Sequence, residues 1–263
     1  MPDQTLTGKV AIVTGSSTGI GAAIAQELSS RGASIVINYP FADIKPDAEK
    51  VLASLATPST SITVEADIST ETGPQVLVDA AVARYGSVDI LVNNAALAVN
   101  KPLPEQTLDD WNRLVNLNGR GTFLLTQAVL PHLPKLDGAS GSGGGRIVNI
   151  CSISARAAPP LQTIYAGTKG MVDSFTRVWA KELPPQYGCT VNAVSPGPTM
   201  TEGFAAAGEE FMAAMKPVMD QTPVGQRVAK PEEIAFAVGF LCEPRASWIN
   251  GLHLVASGGL HID

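Results

Sequence analysis

The sequence predicts an α/β protein built on one doubly wound parallel sheet of about seven strands, with helices on both faces. Two observations support this fold class. Short runs rich in Val and Ile alternate with longer segments whose apolar residues recur at helical spacing. The runs are almost continuously apolar, which is typical of parallel strands covered on both faces. The alternation has no break that would indicate a second core, so we expect a single domain over residues 1–263.

Each strand is predicted from its own apolar run. In chain order the runs are KVAIVTG (9–15), SIVINY (34–39), SITVEAD (61–67), DILVNNA (89–95), GRIVNIC (145–151), TVNAVSPG (190–197) and GLHLVASGG (251–259). Helical spacing fills the intervals between them, over residues 20–31, 47–55, 75–85, 108–130 and 163–182, and a further helix opens with PEEI at residue 231. This succession predicts a Rossmann-like sheet, in which ligands bind beyond the carboxyl ends of the strands.

Two segments lie outside this alternation. DGASGSGGG (137–145) is glycine-rich and of low complexity, and we interpret it as a flexible connection before a strand. Residues 198–229 carry large apolar side chains, namely Met200, Phe204, Phe211, Met212, Met215 and Met219. One interpretation is a surface helix that buries a single face. We favour an apolar lid over a substrate, because this lid segment follows the end of a strand.

Composition narrows the class of protein and its partners. The net charge is −6 and there is no long basic run, so we expect no nucleic-acid partner. No apolar stretch approaches the roughly 20 residues of a membrane span, and the N-terminal segment lacks the pattern of a signal peptide. Three cysteines without CxxC spacing indicate reduced thiols in a cytoplasmic protein. Three histidines without paired spacing predict no metal site.

The stretch TGSSTGIG (14–21) begins where a predicted strand ends and a helix starts. Its first glycine has access to backbone angles that other residues avoid, and the two later glycines let the main chain approach a bulky anion. The following helix points free N–H groups and the positive end of its dipole at that anion. We therefore predict a phosphate site here. Its candidate contacts are Gly15, Ser17, Thr18, Gly19 and Ile20.

The stretch YAGTK (165–169) places a tyrosine four residues before a lysine on a predicted helix. Residues i and i+4 share one face of a helix, so the phenol of Tyr165 and the ammonium of Lys169 lie together. At an effective dielectric of 20, an ammonium about 4 Å away stabilises a phenolate by about 4 kcal/mol. Such a phenol protonates a carbonyl oxygen as hydride arrives, or deprotonates an alcohol in reverse. The spacing alone leaves an ordinary turn of helix as the alternative.

Taken together, these motifs resemble the short-chain dehydrogenase/reductase family. The resemblance is carried in chain order by the stretches 14–21 and 93–96, by Ser152, Tyr165 and Lys169, and by the Pro196–Gly197 pair. It covers essentially the whole chain. It implies an oxidoreductase in which the protein orients the reactants and a nicotinamide cofactor carries the hydride.

The resemblance implies four catalytic residues, which are Asn118, Ser152, Tyr165 and Lys169. The hydroxyl of Ser152 would hold and polarise the substrate oxygen, and Ser154 is its near rival. Asn118 would keep a helix distorted and hold a water that connects Lys169 to solvent. Lys169 would also hydrogen-bond the ribose of the nicotinamide.

The resemblance also implies cofactor contacts along the strand ends. Asp67 would accept a hydrogen bond from the adenine amine, with the Ile68 N–H alongside. The turn after the sixth strand would lie beside the nicotinamide, where the hydroxyl of Thr201, with Thr199 as rival, would meet the carboxamide. The full set beyond the glycine stretch is Asn38, Tyr39, Asp67, Ile68, Asn93, Ala95, Tyr165, Lys169, Pro196, Gly197, Thr199 and Thr201.

The end of the second strand, INYPF, bears on the choice of cofactor. An NAD enzyme usually carries an acid there that holds the ribose 2′-hydroxyl, whereas this chain has Asn38 and Tyr39. No carboxylate at that place would repel a 2′-phosphate, and both side chains, like the loop hydroxyls, have hydrogen-bond donors for one. The basic residue common inside the glycine stretch is absent. We favour NADP(H), and NAD(H) stays open.

We interpret the protein as a carbonyl reductase or alcohol dehydrogenase that uses NADP(H) on an apolar or aromatic ketone or secondary alcohol. The predicted substrate contacts are Ser152, Ser154, Tyr165, Met200 and Phe204. Two alternatives remain, which are an NAD-dependent dehydrogenase on the same fold and a non-catalytic dinucleotide-binding sensor. The resemblance further implies a homo-oligomer, either tetramer or dimer, assembled through the helices near 108–130 and 165–183 and through the C-terminal strand.

Overall fold

Seven parallel strands form one sheet in a computed structural model that describes residues 4–135, 144–206 and 208–263. The strands are β1 Val10–Val13, β2 Ser34–Tyr39, β3 Ile62–Glu65, β4 Ile90–Asn93, β5 Arg146–Ile150, β6 Thr190–Pro196 and β7 His253–Ala256. Their order across the sheet is β3-β2-β1-β4-β5-β6-β7. The predicted fold class is therefore confirmed. Residues 137–143 of the predicted flexible connection lie outside the described residues.

Helices cover both faces of this sheet. They are α1 Gly19–Ser30, α2 Lys45–Ser54, α3 Gly73–Tyr85, α4 Leu108–Leu114, α5 Thr122–Val129, α6 Ser154–Ala157, α7 Thr163–Glu182, α8 Pro184–Tyr187, α9 Glu202–Ala205, α10 Gly208–Asp220 and α11 Pro231–Cys242. Neighbouring residues of β1 show why both faces need cover. Val13 packs into a core with α1, α2 and α11, whereas Ile12 packs into a second core with α3, α5 and α7. Successive side chains of a strand point to opposite faces, so both must be apolar.

The strand order reverses at β1. One crossover leads from β1 to β2 on one side, and the chain later returns to pair β4 with the other side of β1. The loops that follow β1 and β4 therefore leave in opposite directions and open a crevice between them. Open α/β sheets bind their ligands at such a place.

The helix predicted over 108–130 is interrupted in its middle. A π-helical segment, Val115–Gly121, separates α4 from α5. Close packing surrounds this segment, since a Cβ on Gly121 would lie 2.6 Å from the carbonyl oxygen of Ile68 and one on Gly119 would lie 2.8 Å from the sulfur of Met171. Single π turns inside α-helices are frequent at functional sites. The apolar periodicity of the sequence does not reveal such an extra residue.

The lid segment contains α9 and α10, and its two ends meet. The N–H of Met200 donates to the carbonyl of Ala229, and the N–H of Ala229 donates to that of Pro198, each at 2.8 Å. Inside the segment the rings of Phe204 and Phe211 pack edge to face with centroids 5.0 Å apart. No helix in the described part of the chain combines the length and apolar character that a membrane crossing requires.

Candidate active site

A cleft of about 880 Å³ opens at the carboxyl ends of the strands, beside the reversal of strand order. Most of the predicted contacts line it. They are Gly15, Thr18, Gly19, Ile20, Asn38, Asp67, Ile68, Ala95, Ser152, Tyr165, Lys169, Pro196, Gly197, Thr199, Thr201 and Phe204. The glycine stretch and the Tyr165–Lys169 pair, about 150 residues apart in the chain, thus meet at a single cavity.

The glycine stretch forms a tight turn between β1 and α1. Gly15 and Gly19 have φ of +57° and +59°, in the region that favours glycine. Gly21 has no room for a side chain, because a Cβ there would lie 2.3 Å from the carbonyl oxygen of Gly15. The amide of Asn94 braces the turn by donating to the carbonyls of Thr14 and Gly15. Asn94 was not predicted, although it is the second residue of the NNAA stretch.

The main chain at the start of α1 is presented to an anion. The N–H of Gly19 donates a 2.8 Å hydrogen bond to the carboxylate of Glu202 from the lid segment. The N-cap Thr18 makes no side-chain bond to the helix, and the first turn of α1 has no acidic residue. This end of the helix therefore has donors for a phosphate, and the residues present fit the predicted dinucleotide.

Lys169 and Tyr165 lie on the cleft side of α7. Lys169 is 4% exposed, and its ammonium donates a 2.7 Å hydrogen bond to the carbonyl of Ile150 at the end of β5. It lies 5.9 Å from the centre of the Tyr165 ring. Ser152, two residues beyond Ile150, lines the same cavity. The end of β5 therefore fixes both the ammonium and the serine hydroxyl relative to the phenol.

Cys151 lies between those residues but does not behave as a nucleophile. Its side chain is 2% exposed, and its thiol donates to the carbonyl of Lys169 at 3.1 Å. Burial raises the pKa of the Cys151 thiol, which keeps it protonated. The three cysteines are free and buried, in agreement with the expectation of reduced thiols.

Asn118 lies behind the cleft wall and sits in the middle of the π-helical segment. Its amide donates to the carbonyl of Leu97 at 2.9 Å and to the hydroxyl of Thr168 at 3.0 Å. Its side-chain oxygen accepts from the N–H of Leu97 at 2.9 Å. Asn118 thus ties the distorted segment to the loop after β4 and to α7, next to Lys169.

Three predicted cofactor contacts at the adenosine end are placed differently. The amide of Asn38 faces backbone, since it donates to the carbonyl of Ala66 at 2.9 Å while its oxygen accepts from the N–H of Gly15. The side chain of Tyr39 is 4% exposed and packs in the core with α1 and α2. Ser17 lines a neighbouring cavity of about 290 Å³ together with Lys50. In this geometry the amide of Asn38 is bonded to backbone at the edge of the cleft and Tyr39 is packed in the core, so binding of a phosphate by either side chain stays a prediction.

Asn93 is also removed from the cleft. It donates to the hydroxyl of Thr126 at 3.0 Å and to the amide oxygen of Asn149 at 2.9 Å, and Asn149 donates to Thr176. These four buried side chains join β4 and β5 to α5 and α7. Buried amides are strongly favoured to be hydrogen-bonded, so this ladder sets the packing of the sheet against its helices.

Two predicted substrate contacts do not line the cleft. Ser154 is buried in α6, and its N–H donates to the hydroxyl oxygen of Ser152 at 3.1 Å. Met200 is 37% exposed on the outside of the lid segment. The sequence reasoning missed several cleft residues, because nothing in their spacing marks them. They include Phe41, Ser69, Ala98, Arg113, Leu117 and Glu202.

Comparison with known proteins gives one consistent result. A family model described as enoyl-(acyl carrier protein) reductase matches residues 15–261. The short-chain dehydrogenase/reductase FrzI of Cladobotryum sp is 40% identical over 266 residues, covering 98% of each chain. The hydroxynaphthalene reductase-like protein Arp2 of Metarhizium robertsii is 36% identical, covering 97% of this chain and 96% of its own.

A solved structure shows the same architecture. The crystal structure of a short chain dehydrogenase from Burkholderia cenocepacia J2315 in complex with NADP superposes with a TM-score of 0.86 at 34% identity. It covers 97% of this chain and 99% of the other. The fold described above thus occurs in a protein whose crystal structure is a complex with NADP.

Proposed function

This chain belongs to the short-chain dehydrogenase/reductase family and is an oxidoreductase, and we propose that it reduces an apolar or aromatic ketone with NADPH, or oxidises the matching secondary alcohol with NADP⁺. The observation that carries the proposal is that Ser152, Tyr165 and Lys169 line one cleft together with the glycine stretch. Bound NADP(H) supplies or receives the hydride. The roles below concern the groups that this chain contributes.

Tyr165 gives the proton to the carbonyl oxygen during reduction and takes it back during oxidation. The hydroxyl of Tyr165 is the proton-transfer group. The hydroxyl of Ser152, which lines the same cleft, holds the same substrate oxygen. Lys169 uses one ammonium N–H for the carbonyl of Ile150, which leaves two for the ribose hydroxyls and the phenol oxygen.

Asn118 holds in place the backbone next to Lys169. Two of its hydrogen bonds tie the π-helical segment to the backbone of Leu97, and the third ties it to Thr168, the residue before Lys169. A residue that holds the neighbouring backbone sets the direction of the ammonium without touching the substrate. We therefore place Asn118 as a positioning residue for Lys169.

The preference for NADP(H) rests on the absence of an acid at the end of β2. The residues there are Asn38, Tyr39 and Pro40, so no carboxylate at that place competes with a 2′-phosphate. Because the amide of Asn38 is already bonded to backbone, the phosphate must be met elsewhere. The hydroxyl of Thr18 lines the cleft, and Lys50 lines the neighbouring cavity that shares Thr18 with it.

The choice of an apolar substrate rests on the apolar residues among those that line the cleft. Leu97, Ala98 and Phe204 face it, and Phe211 supports Phe204 from the lid segment. The name of the Metarhizium relative, a hydroxynaphthalene reductase-like protein, points the same way. We propose that residues 198–229 close over such a substrate as a lid.

The testing experiment is a substrate panel assayed with NADPH and, separately, with NADH. It contains aliphatic ketones, aryl ketones, a polyhydroxynaphthalene and an enoyl thioester, the last because of the matched family description. We expect turnover of aryl ketones with NADPH and a higher kcat/KM for NADPH than for NADH. Preference for NADH establishes the NAD-dependent alternative, and binding without turnover of any member favours the sensor. Turnover of the thioester alone rejects carbonyl reduction.

We propose further that the protein is a homo-oligomer, tetramer or dimer. Two separate faces expose large apolar side chains. Leu108, Trp111 and Phe123 are exposed on α4 and α5, and Phe236, Phe240 and Trp248 on α11 and the loop beyond it. Patches of this kind are typical of subunit contacts. Light scattering behind size exclusion measures the assembly, and a monomer at micromolar concentration would reject this proposal.

A further inference from the structure

Glu202 lies where the lid segment meets the glycine stretch. Its carboxylate accepts the 2.8 Å hydrogen bond from the N–H of Gly19 described above. The preceding Thr201 is also in contact, since its methyl would lie 3.2 Å from a Cβ on Gly19. The N-terminal end of a helix favours an anion, through its free N–H groups and its dipole. A carboxylate from the lid segment therefore lies at the anion position of α1.

The contact supplies what α1 lacks. No acidic residue is present in the first turn of this helix, and Thr18 makes no side-chain capping bond. Helix α4, by contrast, caps itself through the reciprocal bonds of Thr107 and Asp110. Glu202 reaches the end of α1 from a position 183 residues away in the chain. Because no local side chain caps α1, the N–H groups at its start can bind one anion and exchange it for another.

The same contact restrains the lid segment between its fastened ends. Beyond the backbone bonds that join Pro198 and Met200 to Ala229, the segment contains α9 and α10. Among the described residues, Glu202 makes the one side-chain hydrogen bond from these two helices to a residue outside the segment. Removal of Glu202 from Gly19 would therefore free α9 to move.

We propose that Glu202 is an autoinhibitory anion that competes with the pyrophosphate of the dinucleotide for the N–H of Gly19. Cofactor binding displaces the carboxylate, because two anions cannot share one donor and repel each other at short distance. Displacement releases α9, so the lid segment rearranges only after the cofactor is in place. This inference rests on the proposed function, since it requires a phosphate-bearing cofactor in the cleft.

The first test measures cofactor affinity. Glu202→Gln removes the charge and keeps the shape of the side chain. Glu209→Gln is the matched control, because Glu209 is exposed on α10 of the same lid segment and lines neither the cleft nor the neighbouring cavity. NADPH fluorescence and calorimetry with NADP⁺ report binding without turnover. We expect Glu202→Gln to bind about three- to tenfold more tightly than wild type, and the control to change less than twofold.

The second test follows the lid segment directly. Amide hydrogen exchange over residues 202–206 is compared for wild type and Glu202→Gln, with and without saturating NADP⁺. We expect faster exchange in the variant without cofactor, and equal exchange when NADP⁺ is bound, because the contact is then absent from both proteins. Equal exchange without NADP⁺, or a difference that persists with it, overturns the inference.

The two levels of proposal fail in different ways. Wild-type protein that binds NADP(H) while Glu202→Gln binds with equal or weaker affinity overturns the role of Glu202 and leaves the proposed function standing. Wild-type protein that binds neither NADP(H) nor NAD(H) overturns the proposed function and this inference together.

Discussion

The cleft has two sides that are held very differently. One is a wall formed by the ends of β4 and β5 with α7, where Asn93, Asn149 and Asn118 make buried hydrogen bonds between elements. The other is the lid segment, held to the helix end of α1 by the single exposed bond of Glu202. We therefore expect the groups that must be aligned closely for the reaction to lie on the rigid side, and the groups that select a substrate to lie on the lid segment.

The largest expected effect belongs to the wall. Tyr165→Phe should lower turnover by at least about a hundredfold, the usual worth of a positioned acid, while NADPH binding is retained. Steady-state kinetics and fluorescence titration measure the two quantities. Tyr85→Phe is the control, since its hydroxyl donates to Thr60 on the surface away from the cleft. Near-normal turnover of Tyr165→Phe would remove the proton-transfer role and with it the division described above.

The next largest effect should come from removing buried hydrogen bonds of the wall. Asn118→Ala removes three bonds to Leu97 and Thr168, and we expect a loss of about 2–4 kcal/mol in the free energy of unfolding together with a fall in kcat. Asn116→Ala is the matched control on the same π-helical segment, because its side chain makes no hydrogen bond in the described structure. Urea unfolding and kcat are measured for both. Equal behaviour of the two variants would contradict the positioning role of Asn118.

Two glycines, Gly21 beside the cofactor site and Gly167 on α7, differ in the space that a side chain would have. Gly21→Ala should cost about 1–3 kcal/mol of stability and weaken NADP⁺ binding, because its Cβ would collide with the carbonyl of Gly15. Gly167→Ala in α7 should instead stabilise the protein by about 0.5–1 kcal/mol, since no atom lies within 4 Å of the added Cβ. Thermal unfolding and NADP⁺ titration measure both. A destabilised Gly167→Ala would show that this helix face is covered in solution.

A pH experiment probes the contact between Lys101, in the loop after β4, and Asp110 of α4. The hydrogen bond from Lys101 first, and then those from Thr107, lower the pKa of Asp110 to about 2. A carboxyl whose pKa is depressed on folding stabilises the folded state above its unfolded pKa, near 4, and loses this contribution as pH falls towards 2. We expect Lys101→Met to melt below wild type at pH 6. The difference should shrink between pH 4 and pH 2, and a difference independent of pH would reject the pair as its cause.

The smallest effect belongs to the lid segment. Phe211→Leu removes the ring that packs against Phe204, and we expect KM for an aryl ketone to rise about two- to tenfold with little change in kcat. The unfolding free energy should change by less than about 1 kcal/mol, because the segment is exposed. Phe236→Leu on the outer face of α11 is the control. A large fall in kcat for Phe211→Leu would show that the lid segment also aligns the reacting groups.

The strands and helices could be predicted from the sequence because their patterns reflect burial. Strand β2 and helix α7 have the predicted bounds, 34–39 and 163–182, because continuous apolar runs and helical spacing follow directly from burial. The π-helical segment inside 108–130 was not visible in the spacing. It depends on the tertiary bonds of Asn118 to Leu97 and Thr168, which no local pattern encodes.

The site shows the same contrast. Ser152, Tyr165 and Lys169 were identified from motif residues, and the structure brings them to one cleft. The residue type of Asn38 allows donation to a phosphate, but the sequence does not show that Gly15 and Ala66 bond both ends of its amide. Glu202 was missed because nothing in its spacing marks it, and its contact with Gly19 joins residues 183 positions apart in the chain.

Backbone hydrogen bonds hold the two ends of the lid segment together, and this has a consequence for how the sequence of the segment can change. Met200 and Ala229 are joined by backbone bonds that do not depend on the side chains between them. Lengthening a loop whose ends are already joined costs little entropy, about 0.6 kcal/mol for each doubling of length. We therefore expect residues 205–228 to tolerate replacement by segments of other lengths and sequences, with the cleft residues outside them left in place.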